Sequence, residues 1–92
     1  MNGGGKILRR VAAANIRRTR LSLGWSQETL AHEAGLHRTF IGHVERGETN
    51  LSIDNLERLA DALKVSGAEL LMAISDVPEA RRDAHDVGNG EI

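Results

Sequence analysis

Residues 27–46 read QETLAHEAGLHRTFIGHVER, and the prediction of the fold rests on this segment. Its apolar residues recur at helical spacing, which predicts two short helices separated at Gly35. Glycine suits the break because the residue after a helix usually takes a positive φ, which glycine adopts without steric cost. The predicted inner faces are Leu30, Ala31 and Ala34 in the first of these helices and Leu36, Ile41 and Val44 in the second.

The outward face of the second predicted helix is polar and carries His37, Arg38, Thr39 and His43. A helix that buries one side and presents such side chains on the other is suited to reading base edges in the major groove of DNA. Gly42 lies within this helix, where glycine costs about 1 kcal/mol relative to alanine. It either lets the helix lie close to DNA or leaves room for a nearby loop.

The same stretch resembles the helix-turn-helix of the phage-repressor family of DNA-binding proteins (Cro/C1-type, or xenobiotic-response-element family). The likeness runs from about Asn15 to Leu71 and includes SQETLA at residues 26–31 and VERGETNLSIDNLERLADAL at residues 44–63. It implies an all-α, compact five-helix, lambda-repressor-like DNA-binding domain, in which helices 2 and 3 form the helix-turn-helix.

The resemblance also implies roles for individual residues. Arg38, Thr39 and His43 match the positions at which this family contacts bases. Arginine can bond both O6 and N7 of guanine, threonine can meet a thymine methyl group, and histidine can donate to a purine acceptor. The positions that match contacts to the DNA phosphates are Gln27, His37, Arg46, Thr49 and Asn50.

Some of these positions have a second expected role or a complication. The resemblance also implies that Gln27 can support the side chain of Arg38. His37 stands where the family usually has a serine or threonine cap, so it either contacts a phosphate or caps the helix less well. Glu48 is expected to repel phosphate and so to weaken the binding of its loop to DNA. By the same resemblance, Arg20 and Glu45 form a partly buried, structural ion pair that ties the first helix to the end of the third.

Length and composition limit the class of protein. Ninety-two residues allow one small domain, and the absence of cysteine excludes disulfides and thiolate metal sites. A composition rich in Ala, Leu, Arg and Glu, with one proline, favours an all-α fold. No apolar run approaches the roughly 20 residues of a membrane span, and no signal-peptide pattern opens the chain. We therefore expect a cytoplasmic, nucleoid-associated protein that does not contact membranes.

The net charge of −1 hides a segregation of charge along the chain. Residues 1–47 carry eight Lys or Arg against three Glu, whereas residues 48–75 and residues 76–92 each carry two basic residues against five acidic ones. Binding to phosphate requires a basic face rather than a basic protein. The basic first half is therefore consistent with a DNA-binding surface.

The chain is predicted to hold one domain at residues 6–75, between a flexible glycine-rich lead at residues 1–5 and an acidic, mobile tail at residues 76–92. The remaining helices are expected from about Lys6 to Leu23, from Ile53 to Leu63 and from about Gly67 to Ile74. Their expected inward residues are Leu8, Val11, Ala12, Ile16 and Thr19 in the first helix and Ile53, Leu56, Leu59, Ala60 and Leu63 in the fourth.

Three serines mark predicted helix starts. Ser26, Ser52 and Ser66 each precede a helix and are flanked by apolar residues at staple spacing. Such an N-cap with its staple contributes about 1 kcal/mol per helix. Glu69 completes a capping box at the third of these sites.

The sequence gives no support to an enzyme. His32 and Glu33 begin a pattern like the HExxH of zinc proteases, but the next histidine, His37, comes one residue too late and beyond the break at Gly35. No nucleophile motif, phosphate-binding loop or paired carboxylates in an apolar cleft is present. We therefore expect no catalytic residues, metal or cofactor.

These observations predict a sequence-specific regulator of transcription, such as a repressor or autoregulator, that binds double-stranded DNA. One module reads only a few base pairs, so a homodimer on a palindromic operator is expected. The predicted dimer interface is Leu70, Leu71, Met72 and Ile74 of the fifth helix. The alternatives are an antitoxin with a toxin partner, a restriction-modification controller, and, more distantly, a protein-interaction module that does not bind DNA.

Overall fold

The computed structural model describes residues 4–73, with side chains from residue 7 onward. Residues 1–3, Ile74 and the predicted acidic tail at residues 76–92 lie outside this range. The described part of the chain is all-α and contains no strand, as predicted. Its helices are α1 (Gly4–Ser22), α2 (Gln27–Ala34), α3 (Arg38–Glu45), α4 (Ile53–Leu63) and α5 (Gly67–Leu70).

The core lies among the five helices: α2 packs against α3 and α4, and α1 packs against α3, α4 and α5. Five aliphatic side chains are buried almost completely, one from each helix: Ile16, Leu30, Ile41, Leu59 and Leu70. Small residues pack between them, and Trp25 and Phe40 lie half-buried against the cluster. The two aromatic residues therefore act in packing, and aliphatic side chains fill the interior of the domain.

The three predicted serine caps are confirmed. The Oγ atoms of Ser26 and Ser52 each accept a hydrogen bond, 3.0 Å long, from the backbone N–H three residues later. Ser66 and Glu69 form the predicted capping box, in which each side chain accepts from the other residue's backbone N–H. These caps satisfy orphan amides that would otherwise be exposed at the helix starts.

Two residues expected in the core are exposed. Ile53 is 74% exposed and Leu8 is 55% exposed. Both predictions were wrong for the same reason: each residue continues the apolar stripe of its helix but lies in its first turns, where no other helix of the described chain covers it. The rest of the predicted inner face of α4 is buried.

The fifth helix is shorter than predicted, because it ends at Leu70 rather than near Ile74. The side-chain amide of Asn15 in α1 donates to the backbone oxygens of Leu70 at 2.9 Å and of Met72 at 2.7 Å. Asn15 is 1% exposed, and its own oxygen accepts from Arg18 at 2.8 Å. A fully satisfied buried amide therefore binds the chain where it leaves the helix.

Candidate nucleic-acid interface

Helices α2 and α3 are joined by a tight turn at Gly35. This residue takes the left-handed conformation, with φ 71° and ψ 36°, and its backbone N–H caps the end of α2. The backbone N–H of Leu36 then donates to the Ala31 oxygen at 2.9 Å. A residue with a side chain would be strained at this φ, so the turn between the two helices requires glycine.

The outward face of α3 carries the three side chains predicted to contact bases. Arg38, Thr39 and His43 are all exposed, whereas Ile41 and Val44 point into the core. At 3.6 residues per turn, these three positions fall within an arc of about 140° around the helix axis. The structure therefore presents the guanidinium, hydroxyl and imidazole groups together on one ridge.

His37 is the N-cap residue of α3, with an extended backbone and an exposed side chain. Its side chain makes no capping hydrogen bond. Helix α3 therefore begins without the side-chain cap that Ser26 gives to α2, and the imidazole is left at the surface beside Arg38.

A buried network supports α3 from beneath. The Nε and Nη2 atoms of Arg20 donate to the two carboxylate oxygens of Glu45, at 2.7 and 3.0 Å. Arg20 Nη1 also donates to the Trp25 backbone oxygen at 2.7 Å. The two charged side chains are 8% and 2% exposed. This bidentate pair joins α1 to the last residue of the outward-facing helix.

Gln27 belongs to this same network. Its side-chain amide donates to Glu45 Oε1 at 3.0 Å, and the residue is half-buried. The expected contact with Arg38 is absent from the described structure, where the amide reaches the ion pair instead. Gln27 therefore links the start of α2 to the end of α3. Within the part of the chain that the structure describes, one of its two amide hydrogens remains for another acceptor.

A second, exposed cluster lies at the end of α3. Glu48 Oε1 is 3.0 Å from both His43 Nδ1 and Arg46 Nε. These hydrogen bonds, first from His43 and then from Arg46, hold the pKa of the Glu48 carboxyl below its ordinary value. The Arg46 side chain folds back over Gly42, where an added Cβ would lie 3.2 Å from its Nη1 atom. Gly42 thus leaves room for this arginine.

The loop after α3 is connected to α1. Arg9 Nη2 donates to the side-chain oxygen of Asn50. The Thr49 hydroxyl lies 3.4 Å from the Asn50 backbone oxygen, and Thr49 is half-buried. The structure therefore places Asn50 beside a cation of α1.

The predicted dimer interface is only partly at the surface. Leu70 is 1% exposed and packs inside the chain's own core, so its assignment to the interface was wrong. Leu71 and Met72 remain half-exposed, because the chain has left α5 by then. Leu71 also borders a shallow apolar groove of about 190 Å³ between α1 and α4. The groove is lined by Leu8, Arg9, Ala12, Asn50, Leu51, Ile53, Leu56 and Leu71.

Residues 4–73 contain no cluster of His, Asp and Glu suited to holding a metal ion. None of the helices in this range has the length and apolar character needed to cross a membrane.

Three contributors to the site were missed or misjudged from sequence. Asn15 and Arg9 act through partners more than 40 positions away, which no local pattern reveals. The one available signal was Asn15 itself, a polar residue beside the apolar stripe of α1. Glu48 was expected only to repel phosphate, yet it organises His43 and Arg46.

Comparisons with known proteins agree with this geometry. A family model described as helix-turn-helix matches residues 16–70. A hypothetical transcription factor from Neisseria meningitidis serogroup B is 46% identical over 65 residues, which cover 71% of this chain and 61% of that protein. The aligned part thus spans less than two thirds of that relative's length.

Two further relatives are control proteins. Control protein C.BamHI from Bacillus amyloliquefaciens is 45% identical over 65 residues, which cover 70% of this chain and 80% of that protein. The crystal structure of the restriction-modification controller protein C.AhdI from Aeromonas hydrophila superposes with a TM-score of 0.65 at 42% identity. That match covers 67% of this chain and 94% of the other.

Proposed function

Because the chain belongs to the helix-turn-helix family of DNA-binding transcriptional regulators, we propose that it binds a palindromic operator as a homodimer, with α3 in the major groove. The observation that carries this proposal is the exposed ridge of Arg38, Thr39 and His43 above the buried Arg20–Glu45 pair. Because the helix is rigidly supported, its polar side chains can bond to base edges with little further loss of conformational entropy.

We further propose that the surrounding polar residues contact phosphates. Gln27 lies at the start of α2, where free amides favour an anion, and His37 lies at the start of α3. Arg46, Thr49 and Asn50 follow α3, and Asn50 is joined there by Arg9. Such contacts fix the orientation of the protein on DNA and carry no sequence information.

The homodimer is proposed to form through apolar side chains that the fold leaves uncovered. Leu71 and Met72 are half-exposed, and the nearby groove adds Leu8 and the highly exposed Ile53. A symmetric dimer would place two copies of α3 about 34 Å apart, one turn of DNA. This proposal requires two chains per palindromic duplex, and sedimentation of the complex measures that stoichiometry.

A second candidate function is control of a restriction-modification operon, and the two control-protein relatives favour it. It shares the same DNA chemistry and differs in the gene that is regulated. The antitoxin alternative also shares it but adds a toxin as partner. The neighbouring gene distinguishes them, because a restriction enzyme gene indicates a controller and a toxin gene indicates an antitoxin. In each case the protein would act in the cytoplasm, on the nucleoid.

Salt titration tests the proposed function. We expect log K for binding to a selected duplex to fall linearly with log salt concentration, with a slope of about −0.9 for each neutralised phosphate. Random duplexes should bind more weakly, with a comparable dependence on salt. A flat slope with both kinds of duplex would exclude DNA binding and favour the protein-interaction module.

Replacing Arg38 with alanine tests base readout. We expect the variant to lose about 1–3 kcal/mol of discrimination at one base pair and to keep its preferences elsewhere. Selection of bound duplexes from a random pool measures this. Gln27→Ala should instead weaken binding to all sequences alike. Arg58→Ala, which removes an exposed arginine of α4, is the matched control for Arg38→Ala. An unchanged selected sequence in Arg38→Ala would contradict the assignment.

A further inference from the structure

The carboxylate of Glu48 and the imidazole of His43 are in direct contact. His43 lies on the recognition ridge of α3, and its Nδ1 atom is 3.0 Å from Glu48 Oε1. The same carboxylate oxygen accepts from Arg46 Nε at 3.0 Å, which holds Glu48 in place. The imidazole therefore meets an anchored acceptor on the Nδ1 side of the ring.

This contact decides where the proton of a neutral imidazole lies. A glutamate carboxyl is ordinarily ionised near neutral pH. The hydrogen bonds from His43 and Arg46 lower the pKa of Glu48 further, so its carboxylate can only accept hydrogen bonds. Nδ1 must therefore carry the proton, because an unprotonated Nδ1 would direct its lone pair at a negative oxygen. Arg46 Nη2 is 3.3 Å from the same nitrogen, but a protonated Nδ1 offers it no acceptor.

A neutral ring with its proton on Nδ1 has a free lone pair on Nε2. Within residues 4–73, no hydrogen-bond partner reaches Nε2, and the side chain is 47% exposed. In the major groove, the base atoms that can donate to such an acceptor are the amino groups of adenine N6 and cytosine N4. Guanine O6 and N7 and thymine O4 are acceptors and would not pair with it.

We propose that Glu48 is a positioning residue that fixes the tautomer of His43, so that neutral His43 accepts a hydrogen bond from an adenine or cytosine amino group. This rests on the proposed function, since it requires α3 to face bases. It reverses the donor role suggested by the sequence. It also assigns a role to an acidic residue that lies next to residues proposed to bind phosphates, where its negative charge disfavours DNA binding.

The tautomer is measured first, without DNA. Imidazole nitrogen chemical shifts of ¹⁵N-histidine-labelled protein at about pH 8.5, where histidine is ordinarily neutral, distinguish Nδ1–H from Nε2–H. We expect Nδ1–H at His43 in the unmodified protein and a mixture of tautomers in Glu48→Ala. Glu57→Ala removes an equal charge from the exposed face of α4 and should leave the His43 signal unchanged. An Nε2–H ring in the unmodified protein would overturn the proposal.

The base preference is measured second, by duplex selection at the same pH. The unmodified protein should prefer adenine or cytosine at the position facing His43 by about 2- to 13-fold, the range for one net hydrogen bond. Glu48→Ala should lose this preference while binding duplexes more tightly overall, because a negative charge is gone. Glu57→Ala should keep it.

The outcomes separate the two proposals. If the unmodified protein binds DNA selectively and Glu48→Ala keeps the same preference, the role of Glu48 is overturned and the proposed function stands. If no variant shows salt-dependent DNA binding, the proposed function fails, and the base-reading role fails with it, whatever tautomer is found.

Discussion

Replacing Glu45 with alanine is expected to lower the free energy of unfolding by about 3–5 kcal/mol, the usual cost of leaving a buried charge without its partner. The Glu45 side chain is 2% exposed and accepts both hydrogen bonds of the Arg20 fork and one from Gln27. Its loss leaves the guanidinium buried, with the Trp25 backbone oxygen as its one remaining acceptor within residues 4–73. Urea unfolding followed by far-ultraviolet circular dichroism measures the change.

Two variants make this result interpretable. Arg20→Met combined with Glu45→Leu removes both charges and keeps similar volumes, so it should recover most of the lost stability. Glu48→Ala removes an exposed carboxylate from Arg46 and should leave the unfolding free energy nearly unchanged. A loss in Glu45→Ala no greater than the loss in Glu48→Ala would show that the buried pair does not hold α1 to α3.

Replacing Asn15 with leucine is expected to cost about 2–4 kcal/mol of stability, because it leaves two backbone oxygens without their donor. The buried Leu70 oxygen should account for most of this cost, and the Met72 oxygen is partly accessible to water. Leucine is close to asparagine in size, so a cavity contributes little. Hydrogen exchange should also quicken at the α5 amides more than at those of α4.

The matched control for this variant is Ala14→Leu, which adds the same side chain at an exposed position of α1. It should change stability little. If Asn15→Leu is as stable as the unmodified protein, or if its exchange rates rise equally in all helices, the amide does not specifically hold the end of α5.

The features that could be predicted from sequence rest on local signals. The helix-turn-helix, the serine caps and the outward position of Arg38 depend on periodicity and on residues no more than four positions apart. Long-range contacts decided the rest. Amphipathic spacing showed which face of α4 turns inward, but not that Ile53 would lack a neighbour to cover it. The end of α5 is bound by Asn15, more than 50 positions away, and no local pattern predicts that contact.

The candidate site divides in the same way. The ridge of α3 was predictable because a helix's buried and exposed faces follow from its sequence. The partners of those side chains were not, because Glu48 reaches back across the end of α3 and Arg9 crosses from another helix. Sequence resemblance assigns a role to a position, whereas the hydrogen bonds around it decide whether the group donates or accepts.

Helix α1 contacts both regions that the proposed function uses. Asn15 binds the segment that leads to the proposed dimer surface, and Arg20 binds the end of α3. The two residues are five positions apart, about 7.5 Å along one helix. In a homodimer, the distance between the two copies of α3 would therefore be set by this short segment of α1 in each subunit rather than by a flexible linker. Such a rigid dimer could not contact both half-sites of an operator in which an inserted base pair had moved them apart.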